Sequence, residues 1–287
     1  AKFARHPVRG DLAAQAKAAP VDEGAMNKLM RLLHEATGID FSLYKPSTVL
    51  RRIERRLVLN QSDDLDGYVA QVGSEPDELN SLYRDLLIGV TQFFRDGDAF
   101  RVLESQVLPE LVSKASPEDG IRIWVPACAT GEEAYSLAIG VHELFAKTKR
   151  LMPVKIFATD VHKTSLDCAS AGVYDQSNLT DVSEERLKRY FTRKGEQYQV
   201  VPELRQMIVF APHNVIKDAP FTRIDLISCR NLLIYFQPPG QKKAVSLFHF
   251  ALKTGGVLFL GPSENVGDLE DEFAPVDRHW KIYRKRR

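Results

Sequence analysis

The segment at residues 121–138, IRIWVPACATGEEAYSLA, constrains the fold of this chain more than any other stretch. Its first five residues are mostly β-branched or aromatic and predict a strand, which Pro126 ends. A turn of small residues follows, and after Glu132 and Glu133 the apolar residues recur at helical spacing. A strand, a tight turn and a helix N-terminus in this order form the ligand pocket of open α/β sheets.

The residues of this turn argue against a ligand that carries phosphates. The turn has one glycine, Gly131, and lacks the Lys-Ser/Thr pair of a phosphate-binding loop. Acidic side chains at the start of the helix would repel a pyrophosphate, which binds free N–H groups in a positive potential. S-adenosylmethionine is a sulfonium cation with ribose hydroxyls and no phosphate, so it fits a mouth lined by glutamates better.

Composition excludes several other classes of protein. The 287 residues are 44% hydrophobic and 27% charged with a formal net charge of +1, which is typical of a globular protein and argues against a general polyanion binder. No apolar run approaches the roughly 18 residues of a membrane-spanning helix, and the N-terminal stretch lacks the apolar core of a signal peptide. We therefore expect a cytoplasmic protein with no membrane insertion.

The three cysteines, Cys128, Cys168 and Cys229, are far apart and show no CxxC spacing. This pattern predicts neither a metal site nor a disulfide framework. Cys128 and Cys229 each follow a predicted strand, and we interpret both as small buried residues beside a site.

The order of patterns predicts a tail or linker at residues 1–22, an all-helical domain at 23–90 and an α/β domain at 91–287. The helical domain has four predicted helices, near residues 23–37, from Ser47, at 65–72 and at 77–88. In the α/β domain, strands are predicted at 121–125, 154–159, 207–211, 224–228 and 257–260. Helices alternate with these strands, which predicts a doubly wound, mainly parallel sheet. Residues 172–205 form an inserted β-subdomain with a short helix at 184–190 and hairpin strands.

Two further segments are predicted to reach the same pocket. Asp160 ends the second strand, where an acidic group can hydrogen-bond ribose hydroxyls or can simply cap the chain. The stretch IDLISCRNLLIYF at residues 224–236 reads as a central strand whose end carries Arg230, Asn231 and Tyr235. Since the carboxyl ends of parallel strands meet at one edge, these side chains are expected to line the crevice.

Five ordered motifs together resemble CheR-type chemotaxis receptor methyltransferases. They are TQFFR at 91–95, ACATGEEAYS at 127–136, FATD at 157–160, CRNLLIYF at 229–236 and GPSEN at 261–265. The likeness runs from about residue 29 to residue 283. The sequences of residues 40–56 and 86–96 are similar to the methyltransferase part of fused esterase–methyltransferase proteins. The resemblance implies the Rossmann-like fold of class I methyltransferases that use S-adenosylmethionine.

The activity implied by the resemblance is methyl transfer from S-adenosylmethionine to glutamate side chains on the cytoplasmic helices of chemoreceptors. The products are glutamyl γ-methyl esters and S-adenosylhomocysteine. The implied cofactor-binding residues are Thr91, Arg95, Glu133, Asp160, Asn214, Val215, Arg230 and Asn231.

Individual roles follow the same resemblance. Glu133 and Asp160 are expected to hold the amino-acid and ribose portions of the cofactor, with the assignment between them left open. Asn214 and Val215 are expected to flank the adenine. Some relatives have an asparagine two residues before the threonine, where this chain has Gly89, so one cofactor hydrogen bond would be missing.

The mechanism predicted for such a transfer needs no general base. A glutamate carboxylate, with a reference pKa of about 4.3, is already ionised and nucleophilic at neutral pH. We expect Arg95 to position the acceptor carboxylate in line with the methyl group and Tyr235 to assist as a hydrogen-bond donor. The alternative for Arg95 is a salt bridge between the domains.

A basic stripe on the second helix consists of Arg51, Arg52, Arg55 and Arg56. It can be a solvated surface or a polyanion-binding face, but we favour contact with acidic receptor helices, as the resemblance implies. The inserted subdomain resembles one that grips a receptor's C-terminal peptide. Its segment 192–198 is a few residues short of that form, so we expect no high-affinity binding of that peptide.

Two other functions remain open from the sequence. One is a nucleic-acid methyltransferase of the same fold, although the strand from Asp225 ends in SCRN and lacks the Asn/Asp-Pro-Pro-aromatic motif suited to a flipped base. The other is a sensor that binds S-adenosylmethionine without catalysis. We favour the receptor methyltransferase and expect no nucleic-acid partner.

Overall fold

The structure is a computed structural model that describes residues 23–287, so the predicted tail at residues 1–22 lies outside the described residues. The described backbone forms two compact units. The first takes in the residues up to Ser42 together with Leu50–Tyr83, and the second takes in Leu43–Val49 with Arg84–Arg287. Among residues 23–287, no helix combines the length and the apolar character that crossing a membrane requires.

The four predicted N-terminal helices are confirmed. They are α1 (Glu23–Thr37), α2 (Pro46–Leu59), α3 (Leu65–Ser74) and α4 (Pro76–Leu86). Helix α3 begins at a capping residue, Asp64, whose carboxylate accepts the N–H of Gly67 at 2.7 Å. The apolar stripes of the helices form the core of the first unit, where Leu29, Leu33 and Tyr68 are fully buried.

The arginines of the basic stripe on α2 differ in their solvent exposure. Arg51 and Arg55 are exposed and Arg52 is half-buried. Arg56 instead turns toward the buried carboxylate of Glu78, to which its Nε donates at 2.9 Å and its Nη2 also donates. The prediction that these arginines contact a partner stays a prediction, but Arg56 also has a structural role.

The hydroxyl of Tyr68 donates to the same carboxylate at 2.6 Å. Burial raises the pKa of Glu78, but the hydrogen bonds from Arg56 and Tyr68 outweigh it, so the net pKa lies below its usual value. Glu78 is therefore an ionised, buried group that depends on Arg56.

The second unit contains two sheets built from ten strands. They are β1 (Ile121–Pro126), β2 (Val154–Asp160), β3 (Val173–Asp175), β4 (Phe191–Lys194), β5 (Gln197–Val200), β6 (Ile208–Pro212), β7 (Ile224–Cys229), β8 (Leu252–Leu260), β9 (Phe273–Asp277) and β10 (Ile282–Lys285). The main sheet has the order β6-β2-β1-β7-β8-β10-β9. Its first five strands are parallel, and β10 is antiparallel to both β8 and β9. The predicted α/β fold with a mainly parallel sheet is confirmed.

Among the described residues, seven further helices belong to the second unit. They are α5 (Gly97–Val102), α6 (Leu108–Lys114), α7 (Glu132–Thr148), α8 (Lys163–Ala171), α9 (Glu184–Tyr190), α10 (Pro202–Arg205) and α11 (Pro238–Ala251). Of these, α5 and α6 precede β1, and α10 was not predicted. A π-helical turn, Leu103–Val107, joins α5 to α6. Four 3-10 turns lie at Phe41–Leu43, Gln176–Leu179, Leu233–Tyr235 and Gly267–Glu272. The inserted β-subdomain is also confirmed, since β3, β5 and β4 form a small antiparallel sheet next to α9.

The sequence reading missed the antiparallel edge of the main sheet. Strand β9 contains Pro275 and Asp277, which speak against a strand, but an edge strand tolerates a proline. Strand β8 begins at Leu252, earlier than predicted, because Gly255 and Gly256 interrupt the apolar pattern that marks its second half.

The register of the parallel strands determines where the site lies. Pro126 of β1 pairs with Thr159 of β2, and Trp124 of β1 pairs with Ile227 of β7. The carboxyl ends of β2, β1 and β7 therefore lie side by side at one edge, with β1 between the other two.

The Arg56–Glu78 pair yields a stability prediction. Arg56→Met keeps most of the aliphatic stem but leaves the Glu78 carboxylate buried without its cation, so the free energy of unfolding should fall by about 1–3 kcal/mol. Urea unfolding followed by far-UV circular dichroism measures the change. Arg55→Met, at an exposed neighbour, is the matched control and should stay within about 0.5 kcal/mol of the parent. Equal unfolding midpoints for the two variants would contradict the structural role of Arg56.

Candidate active site

A crevice opens in the second unit at the carboxyl ends of β1, β2 and β7. Its walls enclose about 910 Å³, a volume that includes the open solvent at its mouth. Its lining comes from the segment before α5, the turn after β1, the start of α7, the end of β2, the start of α8 and the loop after β7. Tyr44, ahead of α2, also belongs to it. The predicted site residues in this lining are Thr91, Arg95, Glu133, Asp160, Arg230, Asn231 and Tyr235.

The turn after β1 forms the floor of the crevice. Ala127 and Ala129 adopt positive φ angles of 53° and 46°, which small residues tolerate at the least cost. Gly131 has φ 94°, and a Cβ there would lie 2.9 Å from the Cβ of Ala169, so only glycine fits. The small-residue turn predicted from the sequence is therefore a consequence of close backbone packing.

Asp160 connects this turn to the end of β2 through hydrogen bonds. Its carboxylate accepts the N–H of Ala129 at 2.8 Å and the N–H of His162 at 2.9 Å. Burial raises the pKa of Asp160, while these hydrogen bonds act in the opposite direction. Asp160 thus caps the chain and also lines the crevice, and its hydrogen bond to a ribose stays a prediction.

Glu133 lies at the start of α7 and faces the end of β7. Ser228 Oγ donates to its Oε1 at 2.5 Å, and Arg230 Nη1 lies 3.6 Å from its Oε2. Burial raises the pKa of Glu133, and the charge of Arg230 together with the Ser228 hydroxyl partly offsets this. The side chain is therefore a fixed acceptor in the wall of the crevice.

Glu132, the other glutamate of the motif, does not line the crevice. Its carboxylate accepts from Thr130 Oγ1 at 2.7 Å under the turn, where burial raises its pKa. The hydroxyl of Tyr174, on β3, donates to the Thr130 carbonyl at 2.6 Å. Of the two glutamates expected at the mouth, only Glu133 is there, because adjacent helical residues point in directions about 100° apart.

Arg230 joins three walls of the crevice. Its side chain is 0% exposed, and its Nη2 donates to Asp96 Oδ2 at 2.6 Å. Its Nη1 donates to the carbonyl of Arg95 at 2.9 Å and faces Glu133. The guanidinium also lies over the ring of Phe259, 4.6 Å from its centre.

The TQFFRD segment forms another wall. Phe94 and Asp96 adopt positive φ angles of 49° and 56°, and the N–H of Phe94 donates to Ser136 Oγ at 2.9 Å. This backbone conformation presents Thr91 and Arg95 to the crevice. The guanidinium of Arg95 is half-buried and donates to the carbonyl of Val90 at 3.0 Å.

The loop after β7 supplies Asn231 and Tyr235. Asn231 has φ 61°, and its Oδ1 is buried with no hydrogen-bond partner among the residues that the structure describes. Tyr235 ends the 3-10 turn Leu233–Tyr235, and its carbonyl accepts the N–H of Lys45 at 2.8 Å. Both side chains line the crevice as predicted.

Asn214 and Val215 are not in the lining. They follow β6, where Asn214 Oδ1 accepts the N–H of Ile216 at 3.0 Å and Val215 is buried in the core. Contact between these residues and an adenine ring stays a prediction. Cys128 and Cys229 are buried as expected, and burial raises the pKa of both thiols well above the usual value.

Sequence reasoning missed three residues of the site. Tyr44 lines the crevice ahead of α2 and lies outside the five ordered motifs. His162 lines it beside Asp160, and its Nδ1 is 2.7 Å from Ser165 Oγ. Glu264 lies behind the wall and hydrogen-bonds the backbone of Asn231. Of the three, only Glu264 belongs to one of the five motifs, GPSEN.

Comparison with protein families agrees with this geometry. Residues 89–282 match the family described as CheR methyltransferase, SAM binding domain, and residues 25–87 match CheR methyltransferase, all-alpha domain. The chain belongs to the CheR methyltransferase family. The resemblance seen in the five motifs is therefore confirmed.

Individual relatives fall into two groups by length. An uncharacterized 104.1 kDa protein of Rhodobacter capsulatus is 43% identical over 90% of this chain, which spans only 27% of that protein. The chemotaxis protein methyltransferase of Listeria innocua is 33% identical, with 82% of this chain and 88% of that protein covered. Chemotaxis protein methyltransferase 1 of Pseudomonas aeruginosa is 35% identical, with 87% and 93% covered.

The residues present fit the cofactor that this family binds. S-adenosylmethionine carries cationic groups, for which the crevice offers the carboxylates of Glu133 and Asp160. It also carries N–H and O–H donors, for which the unpartnered Asn231 Oδ1 is a buried acceptor.

The free space beside Gly89 leads to a prediction about cofactor binding. A Cβ there would meet only the Cβ of Ala129, at 3.9 Å, so a side chain fits. Gly89→Asn should supply one hydrogen bond and lower the Kd for S-adenosylhomocysteine by about twofold to twelvefold, the value of a net 0.5–1.5 kcal/mol. Isothermal titration calorimetry measures it. Gly89→Ala controls for the stiffer backbone, and an asparagine variant no tighter than the alanine variant would refute the missing contact.

Proposed function

We propose that this chain transfers the methyl group of S-adenosylmethionine to glutamate side chains on the cytoplasmic helices of chemoreceptors. The products are glutamyl γ-methyl esters and S-adenosylhomocysteine. The observation that carries the proposal is the meeting of seven separately predicted residues around one crevice. The names of the relatives, chemotaxis protein methyltransferases, support the chemotaxis role and methyl-accepting receptors as the substrate class.

The crevice is suited to hold the cofactor by its polar groups. Glu133 and Asp160 hold its amino-acid and ribose portions, and Asn231 and Thr91 supply further hydrogen bonds. Arg230 is fully buried behind them and keeps Glu133 in place. When bound, S-adenosylmethionine supplies an electrophilic methyl group on a positively charged sulfur.

The protein's own contribution to the reaction is positioning. The acceptor carboxylate needs no proton removed, since it is ionised at neutral pH. Arg95 binds this carboxylate with a planar guanidinium that can leave its contact with the Val90 carbonyl, and Tyr235 donates its hydroxyl from the opposite loop. Together they orient one carboxylate oxygen, which is the near-attack role of positioning groups.

A single assay tests the proposal. The purified protein is incubated with methyl-labelled S-adenosylmethionine and a receptor cytoplasmic fragment, and base-labile methyl groups are scored. A fragment whose acceptor glutamates are changed to alanine is the control, and single-stranded and duplex nucleic acids form separate arms. Label on nucleic acid would instead support the alternative methyltransferase. Cofactor binding without any transfer would support the sensor.

The role of Arg95 predicts a separation between turnover and cofactor affinity. Arg95→Ala should lower kcat by about 100-fold, because the acceptor loses its orientation, while the Kd for S-adenosylhomocysteine rises far less. Arg95→Lys keeps the charge but not the planar fork, so it should recover little of the rate. Unchanged turnover in Arg95→Ala would show that the assignment is wrong.

The exposed part of the basic stripe is proposed to attract acidic receptor helices. Arg51→Glu with Arg55→Glu should lower kcat/KM for the receptor fragment by about tenfold at low salt, with the difference shrinking as salt rises. Lys28→Glu with Arg31→Glu, exposed on α1, makes the same charge change and is the control. Equal losses in both double variants would point to net charge alone. Arg56 is left intact, since its loss would destabilise the unit.

A further inference from the structure

Glu264 is a buried carboxylate that the proposed mechanism does not use. It is 4% exposed and lies in the loop that follows β8. Its Oε2 accepts the N–H of Gly261 at 2.6 Å and the N–H of Asn231 at 3.0 Å, and its Oε1 accepts the N–H of Ile234 at 3.3 Å. Its hydrogen-bond partners among the described residues are thus backbone groups of two different loops.

The sheet register brings these two loops together. Cys229 of β7 pairs with Leu260 of β8, so the loops after the two strands start side by side. The loop after β7 carries Asn231 and Tyr235 to the crevice, whereas Glu264 itself is not part of the lining. Glu264 therefore joins the loop that lines the crevice to a loop that supports it from behind.

Few other residues could replace Gly261 or Glu264 in this contact between the two loops. A Cβ at Gly261 would lie 2.8 Å from Glu264 Oε2 and 2.9 Å from the Asn231 nitrogen. The two loops therefore pack too closely at this point for a larger residue than glycine. A carboxylate offers acceptor sites on both oxygens, whereas a glutamine would turn an NH₂ group toward one set of N–H donors. Glutamate is the one side chain of this length that can accept from all three N–H groups.

The same carboxylate holds a residue in a left-handed conformation. Asn231 adopts a φ of 61°, a region that asparagine enters more readily than most other non-glycine residues. The hydrogen bond from its N–H to Glu264 favours that conformation, in which the Asn231 side chain lines the crevice and its Oδ1 has no partner among residues 23–287.

We propose that Glu264 is a positioning residue for the methyl-transfer site. It acts through the backbone of Asn231 and Ile234 and so fixes the cofactor acceptor Asn231 and the hydroxyl donor Tyr235 relative to β7. This role rests on the proposed function, since it concerns the groups that bind the cofactor and the acceptor.

Hydrogen exchange tests the contact itself without any substrate. In the free protein, the amides of Gly261, Asn231 and Ile234 should be protected. In Glu264→Gln, the amides facing the NH₂ group should exchange at least about tenfold faster, as measured by NMR. Glu270→Gln, at an exposed glutamate of the following 3-10 turn, is the matched control and should leave all three rates unchanged. Unprotected amides in the parent protein would overturn the proposal even if no variant folds.

Binding and turnover separate positioning from simple structural support. Below the melting temperature, Glu264→Gln should raise the Kd for S-adenosylhomocysteine by about tenfold and lower kcat by at least as much. Gly261→Ala, which crowds the same carboxylate, should do likewise. A purely structural role would lower Tm in the variants but leave Kd and kcat at the parental values, which would overturn the proposal. Failure of the parent to methylate the receptor, with exchange and binding as expected, would instead reject only the proposed acceptor.

Discussion

The buried guanidinium of Arg230 is the interaction on which the crevice depends. It belongs to the end of β7, yet it binds Asp96 and the Arg95 carbonyl of the TQFFRD segment and faces Glu133 at the start of α7. An arginine with no solvent exposure is costly unless its charge is balanced and its N–H groups have acceptors. Two carboxylates and a carbonyl balance the charge and face Nη1 and Nη2, while Nε has no hydrogen-bond partner among residues 23–287. One side chain thus holds together three segments that are distant in sequence.

Backbone strain in the wall follows a common pattern. Residues with positive φ cluster here, and the N–H group of three of them donates to a polar side chain behind the wall. Phe94 donates to Ser136, Ala129 to Asp160, and Asn231 to Glu264. Each anchor stabilises a conformation that the residue would rarely adopt alone. Strain that the surroundings overdetermine is typical of functional sites, and it gives a crevice formed before any ligand arrives.

The predictable part of this structure is the part encoded by local pattern. The strand, small-residue turn and helix at 121–138 specify their own conformation, and the parallel-sheet rule then brings Asp160 and Arg230 to the same edge. Periodicity could not show that Arg56 pairs with Glu78 or that Glu132 turns under the loop, since it gives a helix face and no partner. Glu264 reaches Asn231 across 33 residues, and its role appears only when β7 and β8 lie side by side.

The charges of the crevice bear on how donor and product bind in the proposed reaction. Burial raises the pKa of both Glu133 and Asp160, so each carboxylate gains from a nearby cation that replaces lost hydration. The sulfonium of the donor supplies such a charge, and the thioether of the product does not. In the proposed reaction, the crevice would therefore attract the sulfur of the donor more than that of the product, while the ammonium group is common to both. Carboxylates in the wall would thus favour exchange of product for fresh donor, provided that Arg230 keeps Glu133 in place.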